Sequence, residues 1–353
     1  MSNRQATARA LTAMLIGVVG TASGVHADGP PLRKATLVSS SVNPPSVSNV
    51  YYLGALDGAF ARHGLDVSLQ QSSGSPSSLA AIVSGRAEFA SINLNTLANA
   101  AAEGVKAKIV VAGNFDFPGL ILARPEITSV KQLEGKRMGA SALGSIEYTV
   151  ANAYLLSQGV DFKKISWVAT RQTTNTIAAL AAGQIDAAWL NMASAVSALA
   201  VAPNLKVLAD AEQLSRNAPT SGGIVVVTDR FALQNPQMID DFVAATIEGN
   251  RALYQDRTFF DRVVEKWMPG VYNAEQKQLL YEAYRPSWGV NGGLNMKEMA
   301  NDLANWKSSV NPDHAVNPNF NTIEDLVDTR FAAHALAALG VLPDTLDAPQ
   351  WMK

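Results

Sequence analysis

Short apolar runs alternate with helical patterns along the chain from residue 35 to residue 228. Between the first two runs, Val50, Leu53, Leu56 and Phe60 recur three or four positions apart, as on one face of a helix. This alternation is typical of βαβ units, so we predict an α/β fold with mostly parallel sheets. The predicted strands are 35–40, 65–71, 89–92, 107–112, 120–123, 136–140, 165–169, 187–190, 205–209 and 224–228.

The pattern becomes wholly helical beyond residue 236. Two stretches interrupt the earlier alternation, NFDFPG at 114–119 and SGG at 221–223, and each contains the Gly or Pro that breaks regular structure. We interpret them as two crossings between lobes. The predicted helices are 48–63, 79–84, 96–103, 145–158, 174–182, 193–200, 238–254, 259–267, 274–284, 296–308, 322–328 and 331–339. The predicted domains are a signal peptide at 1–27, lobe 1 at 28–116 and 226–353, and lobe 2 at 117–225.

The two predicted lobes share an internal repeat. SLAAIVSGRAEFASINL at 78–94 aligns without a gap on TIAALAAGQIDAAWLNM at 176–192, at a constant offset of 98 residues. A repeat of this kind indicates two units built on one plan. The matched positions include Gly85 with Gly183, Glu88 with Asp186, Ala90 with Ala188 and Asn93 with Asn191.

The first 27 residues have the features of a secretory signal peptide. Arg4 and Arg9 precede an apolar stretch at 10–24, and small side chains place the cleavage site near Ala27. A membrane anchor is the alternative, but the stretch is shorter than the roughly 20 residues that a spanning helix needs. We therefore expect a soluble, monomeric protein in the periplasm.

Composition excludes several classes of function. The net charge is −2 and the sequence has no basic cluster, which excludes a nucleic-acid partner. The sequence has no cysteine, so disulfides and thiolate metal sites are ruled out. The four histidines are scattered, and no HExxH, GxSxG, CxxC or phosphate-binding loop motif is present. We predict neither a cofactor nor a catalytic or metal site.

Loops at the carboxyl ends of the predicted strands form the candidate binding site, because ligands of parallel α/β sheets bind there. These loops are rich in Ser, Thr, Asn and Gly, which suit hydrogen bonding to a small polar molecule. The candidate substrate-binding residues are Ser41, Asn49, Ser73, Gly74, Asn93, Asn114, Ser145, Glu147, Arg171, Thr173, Trp189 and Asn191.

Several of these candidates have two interpretations. The segments 73–75 and 144–145 open predicted helices, where backbone N–H groups either hold an anion or are simply capped. Asn93 and Asn191 either face each other across a cleft or satisfy local backbone groups. Trp189 either forms a cleft wall or lies on the sheet face.

The charged candidates differ in the ligand that they would favour. Arg171 could reach a carboxylate, sulfonate or phosphate with its guanidinium, or could be a solvated loop residue. Glu147 could complement the dipole at the start of its helix, or could bind a cationic or hydrogen-bond-donating group if it points into the cleft. Residue type alone leaves both pairs of alternatives open.

Four segments carry a resemblance to a known family. VSNVYYLGALDGAFARHGLDVSL contains a G-x-F-x-x-x-G-L-x-V motif from Gly58 to Val67, and SGRAEFASIN, SVKQLEGKRMGAS and AAGQIDAAWL follow it. Together they resemble the periplasmic solute-binding proteins of ABC importers for nitrate, sulfonates, taurine and thiamine precursors. The resemblance covers roughly residues 35–230.

This resemblance implies a type II periplasmic binding protein fold, with two Rossmann-like lobes joined by a hinge. It also implies that hinge closure captures a small organic anion such as a sulfonate, a carboxylate or a nitrate-like ion. The expected partner is an inner-membrane ABC permease with its ATPase.

Other functions remain open within the same resemblance. The ligand could be a thiamine-precursor pyrimidine or another neutral or cationic solute, and the closed form could be presented to a sensory receptor. An enzyme of the same fold is a further alternative. The enzymes of this group carry a cysteine-rich motif, which this chain does not have.

Overall fold

A computed structural model describes residues 31–39, 50–143, 145–218, 221, 223–309, 319–343, 345 and 347–349. The predicted signal peptide and the candidates Ser41 and Asn49 lie outside these residues. Within the described part of the chain, no helix combines the length and the apolar composition that a membrane span requires.

The strands lie close to the positions that the apolar runs predict. They are β1 Arg33–Ser39, β2 Leu65–Gln71, β3 Phe89–Ile92, β4 Ala107–Ala112, β5 Gly119–Ala123, β6 Arg137–Ala140, β7 Ser166–Ala169, β8 Ala187–Asn191, β9 Lys206–Ala209 and β10 Ile224–Thr228.

The described strands form two five-stranded sheets with the same topology. The first sheet has the order β2-β1-β3-β10-β4, and the second has the order β7-β6-β8-β5-β9. β10 is antiparallel to both of its neighbours, and so is β5. Each sheet therefore has four strands that run in one direction and one that runs against them, so the sheets are mostly parallel as predicted, but mixed. The first crossing leads into the second sheet through β5, and the second crossing leads back into the first sheet through β10. These two entering strands are the ones that run against their neighbours.

The helices depart from prediction at four places. The predicted helix 48–63 is divided by a π-helical segment at Ala55–Ala59, inside which Gly58 has a φ of 116°. The predicted helix 322–328 is only a 3₁₀ turn, Ile323–Asp325, and two short helices, Ala211–Asn217 and Asp229–Gln234, were not predicted. The helices are α1 Val50–Gly54, α2 Phe60–Arg62, α3 Ser75–Val83, α4 Leu94–Ala102, α5 Ile146–Ser157, α6 Thr173–Ala181, α7 Met192–Val201, α8 Ala211–Asn217, α9 Asp229–Gln234, α10 Pro236–Gln255, α11 Arg257–Trp267, α12 Ala274–Tyr284, α13 Met296–Ser309 and α14 Arg330–Leu339.

The repeat in the sequence is also a repeat in the structure. α3 and α6 begin and end at the offset of 98 residues, and β3 and β8 begin at the same offset. The Glu88 carboxylate accepts the backbone N–H of Thr36 at 2.7 Å, and the matching Asp186 carboxylate accepts that of Arg137 at 2.9 Å. In each sheet, an acidic residue thus ties the start of one strand to its parallel neighbour.

The apolar side chains are buried in two clusters. The larger one joins the first sheet to the carboxyl-terminal helices, and in it the ring of Phe89 on β3 stacks on that of Phe242 on α10 at 3.9 Å. It also includes Leu122 and Leu190, on one face of the second sheet. The smaller cluster covers the other face, with Ile121 and Trp189. The exact lobe boundaries stay a prediction.

Candidate functional site

The two crossings between the sheets lie side by side and are hydrogen bonded to each other. The N–H of Gly113 donates to the carbonyl of Gly223 at 3.0 Å, and the N–H of Gly223 donates to Oδ1 of Asn114 at 2.9 Å. Nδ2 of Asn114 donates to the carbonyl of Asp116 at 2.8 Å. Asn114 is buried, and both ends of its amide bind backbone groups, so the structure gives this candidate a place in the joint between the sheets.

Tyr51 packs the two crossings onto the first sheet. A Cβ atom at Gly113 would lie 2.0 Å from the Tyr51 ring, and one at Gly223 would lie 2.8 Å from the phenol oxygen. The same oxygen is hydrogen bonded to Oγ of Ser91 at 2.7 Å. Burial raises the pKa of Tyr51 to about 12, so this phenol stays neutral and keeps its proton for that contact. Only glycine permits so close an approach of backbone to ring.

A small cavity lies beside the second crossing. Its volume is about 10 Å³, which is room for roughly one group the size of a water molecule. It touches the start of α4, which follows β3 of the first sheet, and the start of α5, which follows β6 of the second sheet. Helices that follow strands of both sheets therefore contribute to its wall. The described lining residues are Asn93, Leu94, Asn95, Ile146, Thr149, Ser221 and Asp302.

Asp302 on α13 is the charged residue of this cavity, and the sequence analysis missed it. Its carboxylate, 5 % exposed, accepts hydrogen bonds from Oγ of Ser221 and from the backbone N–H of the same residue at 3.2 Å. Burial raises the pKa of Asp302 to about 6. One signal could have found it: it lies on the apolar face of its helix, between Met299 and Trp306, where a carboxylate needs an explanation.

A second carboxylate lies one turn earlier on the same helix. Glu298 is partly buried, and its pKa is raised by burial and by the negative charges of Asp116 and Asp302. Lys297 acts in the opposite direction, but its side chain is exposed to solvent. Glu298, Asp116 and Asp302 are thus close enough for their charges to interact.

Two of the remaining wall residues offer hydrogen-bond acceptors. Oδ1 of Asn95 is buried and has no hydrogen-bond partner among the described residues. The hydroxyl of Thr149 donates to the carbonyl of Ser145 at 3.0 Å, which leaves its oxygen able to accept. None of the described lining residues is Lys or Arg. The cavity therefore offers these acceptors and one carboxylate, beside the backbone N–H groups of the two helix starts.

The charge of Asp302 bears on what can enter this space. The helix starts at the cavity favour negative charge by about 0.3–1 kcal/mol each at surface positions, and the ionised Asp302 carboxylate already supplies it. A second anion would have to put a proton on Asp302, which costs about 1.4 kcal/mol at pH 7 for a pKa of about 6. A hydrogen-bond donor meets the ionised carboxylate without that cost and so suits the space better.

Three further candidates meet at the start of α5, next to this cavity. Ser145 caps the helix by accepting the N–H of Tyr148 at 3.4 Å. Glu147 accepts hydrogen bonds from Oγ of Ser141 at 3.0 Å and from Oγ1 of Thr173 at 3.4 Å. The structure therefore brings Ser145, Glu147 and Thr173 together, with the carboxylate held by two hydroxyls.

Arg171 lies in the loop before α6. Its backbone N–H donates to the carbonyl of Ser141 at 2.9 Å, and its φ is 71°, a left-handed value that is uncommon for a residue with a side chain. The side chain is exposed. It is not among the residues that line the cavity.

The remaining candidates have local partners outside the cavity lining. The hydroxyl of Ser73 contacts that of Ser77 at 3.0 Å, and Gly74 precedes α3, so this segment forms an ordinary helix start. Trp189 is 1 % exposed and stacks near Phe117 in the smaller apolar cluster, which is the sheet-face alternative. Asn191 caps α7, accepting the N–H of Ser194 at 2.9 Å.

Sequence comparison identifies the family. The model of the "NMT1/THI5 like" family matches residues 46–257. The chain belongs to the NMT1/THI5-like family. Comparison with curated protein sequences gives no significant match.

Solved structures similar to this NMT1/THI5-like chain share its fold. The aliphatic sulphonate binding protein SsuA from Escherichia coli is 16 % identical, with a TM-score of 0.66 over 86 % of this chain and 100 % of that one. The nitrate-binding protein NrtA from Synechocystis is 12 % identical, with a TM-score of 0.64 over 89 % and 90 %. The Candida albicans CA3427 gene product, described as having the generic periplasmic binding protein fold, is 15 % identical, with a TM-score of 0.61 over 84 % and 97 %. The chain thus has the periplasmic binding protein fold.

The two repeated asparagines of this NMT1/THI5-like protein should differ on substitution. Oδ1 of Asn93 accepts the N–H of Thr96 at 2.8 Å, so both asparagines cap helices, and alanine at either should cost about 1 kcal/mol of stability. Asn93 lines the cavity and Asn191 does not, so we expect only Asn93→Ala to weaken solute binding as well. Urea unfolding and calorimetric titration measure the two effects. Equal losses of binding in both variants would contradict this assignment.

Proposed function

We propose that this protein is the periplasmic substrate-binding component of an ABC importer. It would capture a small organic solute between its two sheets and deliver it to a membrane permease with its ATPase. The observation that carries the proposal is the cavity lined by residues at the starts of α4 and α5. It lies next to the two crossings, which are hydrogen bonded to each other. The named activities of the similar SsuA and NrtA structures support the same function.

Closure about this joint is the proposed mechanism. A solute that contacts residues on both sides stabilises the closed form by its differential affinity for the two forms. We propose 28–116 with 226–353 as one moving body and 117–225 as the other, because the paired crossings fall close to those boundaries. Secretion, with cleavage near Ala27, places the protein where such a solute arrives.

The charge of the solute separates two versions of this function. The family resemblance implies a sulfonate, a carboxylate or a nitrate-like anion, for which the exposed side chain of Arg171 is the cationic candidate. The alternative is a neutral or cationic solute, and the buried carboxylate of Asp302 favours it.

A screen of retained and added solutes tests this function. Protein purified without refolding should release a small molecule that native mass spectrometry identifies. A solute at 100 times its dissociation constant should stabilise the fold by about 2.7 kcal/mol, a shift that thermal denaturation detects. X-ray scattering should give a smaller radius of gyration with the solute than without it.

Two outcomes would reject the function. A bound solute that leaves the radius of gyration unchanged would contradict closure. Chemical conversion of the solute during incubation would instead indicate an enzyme of the same fold. Loss of solute uptake in cells that lack the protein would separate transport from a sensory role, in which uptake would continue.

A further inference from the structure

We propose that the cavity beside the second crossing binds the ammonium head group of a small organic amine. This inference rests on the proposed function and names the chemical class of the solute. The N–H groups of the head group would donate hydrogen bonds to the Asp302 carboxylate and to Oδ1 of Asn95. The rest of the solute would extend away from this cavity.

The size of the cavity supports this assignment. A volume of about 10 Å³ admits roughly one group the size of a water molecule, and a primary ammonium group is of that size. A sulfonate, with three oxygens around its sulfur, is larger. The small volume thus agrees with the cluster of acceptors in selecting one compact donor.

The hydrogen-bonding groups of the wall also fit. A primary ammonium group has three N–H donors and no acceptor. The cavity supplies a carboxylate, the amide oxygen of Asn95 and the hydroxyl oxygen of Thr149. Buried polar atoms are nearly always hydrogen bonded, and Oδ1 of Asn95 has no partner among the described residues, so it is able to accept a hydrogen bond from a bound group.

A purely structural role for Asp302 explains fewer of these observations. Its hydrogen bonds from Ser221 would help to hold the second crossing against α13. That role requires only an acceptor, which a neutral side chain supplies without the cost of burying a charge. It also leaves the Asn95 oxygen without an explanation. A cationic group in the cavity accounts for both residues.

A matched panel of compounds tests the inference. Primary alkyl- and arylamines are titrated into the full mature chain, each beside the sulfonate and the alcohol with the same carbon skeleton. We expect the amines to bind in preference to their partners. Asp302→Asn and Asn95→Leu should each weaken amine binding by about 10- to 100-fold, the range for losing a hydrogen bond to a charged group. Asp347→Asn is the matched control, because Asp347 is also a buried acid but lies outside the cavity lining.

The outcomes distinguish this inference from the proposed function. Binding of the sulfonates in preference to the amines, unchanged in Asp302→Asn, would overturn the amine inference and leave solute binding intact. Failure of every amine to bind would overturn it too, whether or not native mass spectrometry finds another solute. Absence of any retained or added solute would count against the proposed function itself. Equal weakening in Asp347→Asn would show a general effect of removing buried acids and would also overturn the inference.

Discussion

Replacing Gly113 with alanine is expected to destabilise the protein by about 3 kcal/mol or more, at the upper end of the range for overpacked interiors. The new methyl group would lie 2.0–2.4 Å from three ring atoms of Tyr51. That ring has no free space to move into, because it is 1 % exposed and its oxygen is bonded to Ser91. Since the affected contact joins the two crossings to the first sheet, solute binding should weaken as well. Chemical denaturation measures the loss of stability.

A double-mutant cycle isolates the steric cause of this loss. Tyr51→Leu alone should be destabilising, because it removes a buried ring and its hydrogen bond. In the Tyr51→Leu background, however, alanine at Gly113 should cost much less than in the native chain, since the ring that it strikes is gone. Additive losses would mean that the methyl group acts through the backbone, and the proposed packing would be wrong.

Asp302→Asn should have the opposite effect and make the protein more stable at neutral pH. The folded-state pKa of Asp302 is raised to about 6 from an ordinary 3.8, so the folded form binds more protons than the unfolded chain in this range. Stability must therefore fall as pH rises from about 4 to above 6, by up to about 3 kcal/mol. Asparagine removes this cost and can still accept from Ser221. Its advantage should be small near pH 4 and reach its full size near pH 7.5, as measured by urea unfolding.

Asp186→Asn provides a control of opposite sign. Hydrogen bonds and charge from Arg137 lower the pKa of Asp186 to about 2, so its ionised form stabilises the fold above about pH 4, and this contribution is lost as the pH falls toward 2. Asparagine there should destabilise the protein by about 2 kcal/mol at neutral pH. An Asp302→Asn variant that loses stability at neutral pH, as Asp186→Asn does, would show that the Asp302 carboxylate is a structural anchor.

Binding sites often contain residues that lower the stability of the folded protein. If Asp302→Asn gains stability and loses amine binding in the same protein, the carboxylate is retained for its ligand. Gain of stability with unchanged binding would leave it without a functional reason.

The strands could be predicted from the sequence because their signal is local. The predicted runs 65–71, 89–92 and 107–112 have the bounds of β2, β3 and β4. The pairing and direction of the strands cannot be predicted from local sequence. The position of β10 between β3 and β4, and of β5 between β8 and β9, depends on contacts between distant segments. The π-helical segment was missed because the apolar spacing of residues 48–63 continues across it.

The candidate site was only partly predictable for the same reason. Asn93, Ser145 and Glu147 follow strands or open helices, and the rule for parallel sheets finds such positions. Asp302 comes from a helix more than 150 residues farther along, and only the packing of α13 brings it to the cavity. For Trp189, strand alternation indicated the sheet face, but only the fold could decide between that face and the cleft.

The position of β10 also affects the order in which the protein can fold during synthesis. β3 and β4 do not pair with each other; β10 lies between them and joins them. All described strands of the second sheet have emerged by residue 209, so that sheet can form while β3 and β4 of the first still have unpaired edges. Until residues 224–228 follow, these edges are open to pairing with other chains. A chain whose synthesis stalls between residues 209 and 224 should therefore be more prone to aggregate than one released after β10.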